Sequence, residues 1–145
     1  MDLKRRAELV GRWPATVGLP WSYFAKRGCL IDARGPLVLD ATSRWGLGVT
    51  VITESHGIAA WPAMSKAIPY GVTVGKEAWI GSFSILAGCV IGAGSIVAAG
   101  TVVRGQTVGP GVMVAGNPAR VIARWDGAQW VYVLGEISGY ERALR

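Results

Sequence analysis

The sequence predicts an all-β chain folded as a parallel β-helix, a prism of stacked three-sided coils. Three observations carry that prediction. Apolar residues recur every six positions, small residues follow them, and charged residues are sparse. Leu39, Trp45 and Val51 set the beat, and Val74 and Ile80 resume it. Ile85, Ile91, Val97 and Val103 continue it after one step of five between Ile80 and Ile85. Gly75, Gly81, Gly92 and Ala98 come directly after beats. A single strand alternates with period two and a helix repeats at 3.6, so neither accounts for a six-residue beat. Hexapeptide repeats are the signature of a β-helix, in which each hexad forms one face of a coil.

The chemistry suits that geometry. Inward β-branched residues stack into columns, and Gly or Ala permits the tight corners between faces. With three hexads per coil, residues 30–122 give about four coils, less an excursion at 57–70 (GIAAWPAMSKAIPY) that abandons the beat. Val72, Ala78, Val90, Ile96, Val102 and Val108 are expected on the outer faces. So much outward apolar surface calls for a closed oligomer.

The flanks read differently. Residues 1–29 form an N-terminal cap over the first coil, with a short helix expected over 2–11 and breaks at Pro14 and Pro20. Residues 123–145 are a C-terminal extension, where the Asp126-Gly127 pair between Trp125 and the apolar run from Trp130 predicts a hairpin. It either caps its own prism or reaches a neighbour.

Composition narrows the function classes. The chain of 145 residues is 51% apolar and 17% charged, which excludes disorder. It has no run of 18 apolar residues to span a membrane. No apolar segment follows the charges of MDLKRRAELV, so a cytoplasmic protein is expected. Cys29 and Cys89 are too few and too far apart for a disulfide framework, and no metal-ligand spacing is present. The net charge of +6 comes without a nucleic-acid-binding motif or a long basic tract.

His56, the sole histidine, stands in TESHG at the edge of the 57–70 excursion. Loops grown from a rigid scaffold are where chemistry gathers. A neutral imidazole suits the removal of a hydroxyl proton. Glu54, Asp32 and Asp40 are the acids near it in sequence, any of which, or a backbone carbonyl, would fix its tautomer. Trp79 precedes a beat and is expected to face outward, whereas Trp45 occupies a beat and belongs to the core. Trp61, on the excursion, offers a ring for stacking against an acceptor.

VTVITESHG at 49–57, AWIGSFSILAGCVIGAGSIVAAGTVV at 78–103 and VAGNPARVI at 114–122 together resemble the hexapeptide-repeat acyltransferases. Within them the sequence is similar to the sugar O-acetyltransferases, the galactoside, maltose, capsule and lipopolysaccharide branch. The resemblance covers roughly residues 30–122 and implies a left-handed helix, a homotrimer, and acetyl-CoA lying between adjacent prisms. It implies His56 as general base and acetylation of a sugar or glycan hydroxyl; Glu54 is set beside His56 by its place two residues back, and no Cys or Ser with a second His offers a covalent route. Trp79, Ala99 and Arg120 match donor-binding positions, Ser82 is by the same analogy a donor to the tetrahedral intermediate beside the bound CoA, and Arg104 stands near the CoA where those enzymes tend to have a Thr; Asp32 and Trp61 are expected at the acceptor. No metal is expected. SFSI at 82–85 is one residue short of the family spacing, which predicts a shifted corner there. The alternatives are acylation of an amino sugar, antibiotic or other small acceptor, or a non-catalytic assembly module.

Overall fold

A computed structural model describes residues 2–58 and 66–133. The strands are β1 (Glu8–Gly11), β2 (Leu30–Ala33), β3 (Leu37–Leu39), β4 (Arg44–Trp45), β5 (Thr50–Ile52), β6 (Glu54–His56), β7 (Ala67–Pro69), β8 (Val72–Val74), β9 (Trp79–Ile80), β10 (Ile85–Ala87), β11 (Val90–Ile91), β12 (Ile96–Val97), β13 (Val102–Arg104), β14 (Thr107–Val108), β15 (Val112–Ala115), β16 (Arg120–Trp125) and β17 (Trp130–Tyr132). One helix, α1, spans Trp21–Ala25.

The strands wind into a left-handed parallel β-helix with three faces. Face A holds β1, β2, β5, β10 and β13; face B holds β3, β8, β11 and β14; face C holds β4, β9, β12, β15, β16 and β17. Each turn of chain visits A, then B, then C. Four coils result, of which the last two are uninterrupted.

One inward column runs down each face. Face A buries Ile31, Val51, Leu86 and Val103 in register. Face B buries Leu39, Val74, Ile91 and Val108, and face C buries Trp45, Ile80, Val97 and Val114. Burying these columns is the main force that closes the coil. From B to C and from C to A the inward residues are always six apart, as Val74, Ile80 and Leu86 illustrate.

Two expectations change at this point. The inward residue of β10 is Leu86, not Ile85, so the step after Ile80 is a full six and the corner Gly81–Ser84 is not shortened. It closes with the same Ser84 N to Gly81 O bond that its equivalents Gly92–Ser95 and Ala98–Thr101 make. The short step lies instead between faces A and B, from Leu86 to Ile91 and again from Val103 to Val108. There the chain turns on Gly88 (φ 52°) and Gly105 (φ 61°), a left-handed conformation in which a side chain is strained.

Val72, Ala78 and Val108, expected outside, are buried, while Val90 is exposed and Ile96 and Val102 are half-buried. Val108 belongs to the face B column itself. Val72 and Ala78 are interior because the last residue of each corner also points inward. Ser43, Ala78, Ser95 and Val112 line the corner between B and C, and Val49, Ser84 and Thr101 line that between C and A. Ser84 Oγ donates to Ala98 O (3.0 Å) and Ser95 Oγ to Gly109 O (2.6 Å), tying successive corners together.

The N-terminal segment differs from the expected helix over 2–11. Only Leu3–Arg6 makes a 3-10 turn; Glu8–Gly11 is β1, laid parallel on β2. Residues Glu-Leu-Val-Gly gain more by satisfying the edge of face A than a four-residue helix gains from local bonds. Above the first coil Phe24 of α1 is fully buried, packed between Trp13, Tyr23 and Trp45. Arg27 lies 3.6 Å over the Tyr23 ring and donates to the carbonyls of Trp45 and Tyr23. Trp45 is core, as its beat position implied.

At the far end the chain turns through a cis Asn117–Pro118 bond into β16, antiparallel to β15. The pair β16–β17 is an antiparallel hairpin, turned where Asp126 accepts the N–H groups of Ala128 and Gln129. Among the described residues no helix is long and apolar enough to cross a membrane.

Candidate active site

The chain leaves the prism between faces A and B of the second coil. Thr53, buried at the departure, accepts the N–H groups of Tyr70 and Gly71 at its carbonyl and so pins the return. From Glu54 onward β6 pairs antiparallel with β7, a ribbon in which Glu54, Ser55 and His56 face Pro69, Ile68 and Ala67. The ribbon therefore begins at Glu54, ahead of the loop. His56 sits exposed at its outer end, followed by a Gly57 N–H to Lys66 O bond of 2.9 Å. Among the described residues no side chain or carbonyl bonds the imidazole. Trp61 lies outside the described residues.

Beneath the ribbon is a charged root. Arg34 grips Asp32 with two bonds, Nε to Oδ1 at 2.9 Å and Nη2 to Oδ2 at 3.0 Å, while its backbone N–H also meets Oδ1 at 3.1 Å. Asp32 is 6% exposed, and this grip by Arg34 holds its carboxyl below the usual carboxylate range. Glu54, expected beside His56, is instead 3.6 Å from Arg34 Nε. Thr53 Oγ1 donates to Asp32 O and accepts from Gly35 N, so the root, the exit strand and the next corner form one network. Asp32, expected at the acceptor, is occupied there. Sequence reasoning missed Arg34; its signal was an Asp-x-Arg spacing directly before Gly35-Pro36, which lets Asp32 accept the N–H two residues on.

Of the remaining candidates all but Arg104 lie on the other side of face A. Trp79 projects from face C and is 50% exposed, as expected. Ser82 and Ala99 occupy equivalent places on successive turns of the corner between C and A, linked by Gly100 N to Ser82 O at 2.9 Å. Ser82 Oγ accepts the Leu47 N–H at 3.0 Å, which joins it to the same corner one coil above. Arg120 opens β16 at the foot of this corner, paired with Ala115; it is exposed and donates to Ala119 O. Arg104 ends β13 on face A, exposed. So Trp79, Ser82, Ala99 and Arg120 share one side of the prism and His56 stands off another. Within a single chain face A, a three-residue strand about 10 Å long, separates them.

Neither cysteine offers a nucleophile. Burial pushes the Cys89 thiol up to about 12 and raises that of Cys29. His56 carries the one imidazole of the sequence.

Known proteins place this architecture. Residues 71–105 match the bacterial transferase hexapeptide (six repeats) family model. A maltose O-acetyltransferase from Clostridium difficile 630 is similar in structure, with a TM-score of 0.62 and 26% identity over 68% of this chain and 54% of that one. A hexapeptide-repeat-containing acetyltransferase from Vibrio cholerae O1 biovar eltor, complexed with acetyl coenzyme A, gives 0.58 and 25% over 66% and 53%. A galactoside acetyltransferase in complex with coenzyme A gives 0.50 and 26% over 66% and 49%. The chain thus spans about half the length of these proteins. Among curated proteins none matches. Coil geometry, repeat and structural likeness together give the chain the left-handed β-helix fold of the hexapeptide-repeat acyltransferases, to which it is similar.

Proposed function

We propose that the protein is an acetyl-CoA-dependent O-acetyltransferase acting on a hydroxyl of a sugar or glycan precursor in the cytoplasm, and that it works as a homotrimer. The observation that carries this reading is the separation just described. A base on one edge and a donor column on another make a complete site only when a second prism brings its column against the first one's ribbon. The similar Vibrio protein is complexed with acetyl coenzyme A and the galactoside enzyme with coenzyme A, which supports the donor. In this reading the CoA phosphates rest against Arg120 and the pantetheine arm runs up the corner past Ala99 to Ser82, covered by Trp79. Arg104, on the ribbon edge of face A, meets the donor only from the neighbouring prism.

The chemistry needs no covalent enzyme intermediate. The His56 imidazole accepts the proton of the acceptor hydroxyl as its oxygen attacks the thioester carbonyl carbon. The tetrahedral oxyanion is met by donors at the Ser82 corner. Collapse breaks the carbon–sulfur bond, and the imidazolium returns its proton to the departing CoA sulfur. Trp61 stays the candidate acceptor contact on the loop. Asp32 acts at one remove, through Arg34, and Glu54 steadies the ribbon from the same root.

His56→Ala tests the reading. Turnover should fall roughly 10²–10⁴-fold, the usual yield of a general base, with acetyl-CoA affinity retained. The wild-type rate should rise with pH over the range where histidine loses its proton, and the variant should lack that rise. Activity above a third of wild type on a verified acceptor would remove His56 from the mechanism.

A further inference from the structure

The corner between C and A has one residue out of keeping with its neighbours. At the third place of each turn the backbone is left-handed: Gly48 (φ 61°) in the first coil, Phe83 (φ 59°) in the second and Gly100 (φ 69°) in the third. Glycine is the physical choice there, and a bulky aromatic pays for the conformation. Phe83 does not recover that cost by burial, because it is 56% exposed. Its ring lies over Gly48, where an added Cβ would stand 2.6 Å from it, so Gly48 is shaped to receive it. Beside it Leu47, one coil above Ser82, is 43% exposed. Strained, exposed residues of this kind persist where function holds them.

Their place indicates the function, and here the inference rests on the donor reading above. With Arg120 at the phosphate end, the donor column climbs from β16 to Ala99 and then to Ser82. That is three strand spacings, about 14 Å, a span an extended pantetheine arm covers. The thioester then lies beside Ser82, and the next surface in line is apolar: Phe83, then Leu47. We propose that Phe83 and Leu47 form an acyl-chain subsite, so that the enzyme takes donors longer than acetyl. One further coil, about 4.8 Å, accommodates a chain of about four to six carbons. The chain lies along the column axis over the Phe83 ring and against Leu47.

Calorimetry on the full chain with CoA, acetyl-CoA and hexanoyl-CoA, without acceptor, tests this directly. Full burial of a methylene gives roughly fourfold in affinity and half-burial about twofold. Hexanoyl-CoA should therefore bind roughly tenfold tighter than acetyl-CoA. In Phe83→Gly, which restores the residue found at this place in the coils above and below, the ratio should fall to about two. Leu47→Ser should lower it too. The ratio is the readout, so any general loss of affinity cancels. Equal binding of the two thioesters by the wild type overturns the subsite, as does a preference that survives Phe83→Gly. If an octyl glycoside binds better than a methyl glycoside, that preference is lost in Phe83→Gly and the donors show no chain dependence, the apolar wall serves the acceptor and the acyl assignment is wrong. Failure of CoA itself to bind would sink the donor reading and this inference with it, whereas CoA binding without chain dependence sinks the inference alone.

Discussion

Asp32→Asn keeps the shape of the side chain at the ribbon root and removes its charge. Arg34 donates to both carboxylate oxygens of the wild type, at 2.9 and 3.0 Å. Asparagine retains one acceptor for the Arg34 backbone N–H and Nε, but turns an NH₂ toward Nη2, donor against donor. One charge-assisted bond is lost, and the Nε bond keeps only the charge of its guanidinium donor. A hydrogen bond to a charged group contributes about 1.5–3 kcal/mol, and since the Arg34 side chain is 54% exposed, solvent screening reduces this to about 1–2 kcal/mol. The pH dependence follows from the sign of the shift. The Asp32 carboxyl titrates lower in the folded protein than in the unfolded chain. Its contribution is thus complete above the ordinary carboxylate value of about 3.9 and disappears as pH falls through the folded value. Urea midpoints at one fixed protein concentration should show the full deficit of Asp32→Asn at pH 7, and a smaller one at pH 3. The same variant should lower kcat more than the KM for acetyl-CoA, because the ribbon that it loosens carries His56. A deficit equal at the two pH values would refute the ionic account of the root, and an unchanged kcat would detach the root from the chemistry.

Three further outcomes are expected. Arg120→Ala should weaken acetyl-CoA binding by about 1.5–3 kcal/mol if the guanidinium meets phosphate, and should leave the KM of a truncated N-acetylcysteamine thioester nearly unchanged; equal losses make Arg120 structural. Co-expressed His56→Ala and Trp79→Ala chains, each impaired alone, should recover about a quarter of wild-type activity through random mixing in a closed trimer; no recovery places base and donor column in one chain. Gly81→Ala would put a Cβ 2.5 Å from Ala99 N and 2.7 Å from Val97 O, backbone that cannot step aside, and should cost about 1–3 kcal/mol in urea unfolding.

The columns were legible because their cause is local. Trp45, Val51, Val74, Ile80, Val97 and Val103 sit where the hexad count puts them, inward and buried. The count slipped at Ile85-Leu86, where two adjacent apolar residues fit a beat equally and only pairing with Val51 and Val103 decides for Leu86. The cap was less readable for the opposite reason. Four residues of β1 have no strong preference of their own, and become a strand only because β2 presents an unpaired edge. At the site, His56 stood out by interrupting the repeat, and Trp79 by its place before a beat. Arg34 and Phe83 did not. An arginine in a loop and a phenylalanine in an apolar run look ordinary until one is seen gripping Asp32 and the other is found left-handed and exposed.

The distribution of irregularity around the prism explains why His56 stands where it does. Between B and C, and between C and A, six residues always separate inward positions, because each corner is a four-residue turn that stacks on the one below. Between A and B the separation varies: eight from Ile31 to Leu39, twenty-three from Val51 to Val74, five from Leu86 to Ile91 and from Val103 to Val108. Only this corner lets the backbone leave and return without shifting a column, so an inserted ribbon costs the core nothing there. A long donor needs the reverse, a corner whose turns repeat at fixed height so that successive contacts fall in line. Variable and invariant corners cannot be the same corner. If His56 is the base and the repeat corner the donor groove, as proposed, the two are therefore forced onto different edges of one prism, and packing a second prism against the first is the direct way to bring them face to face.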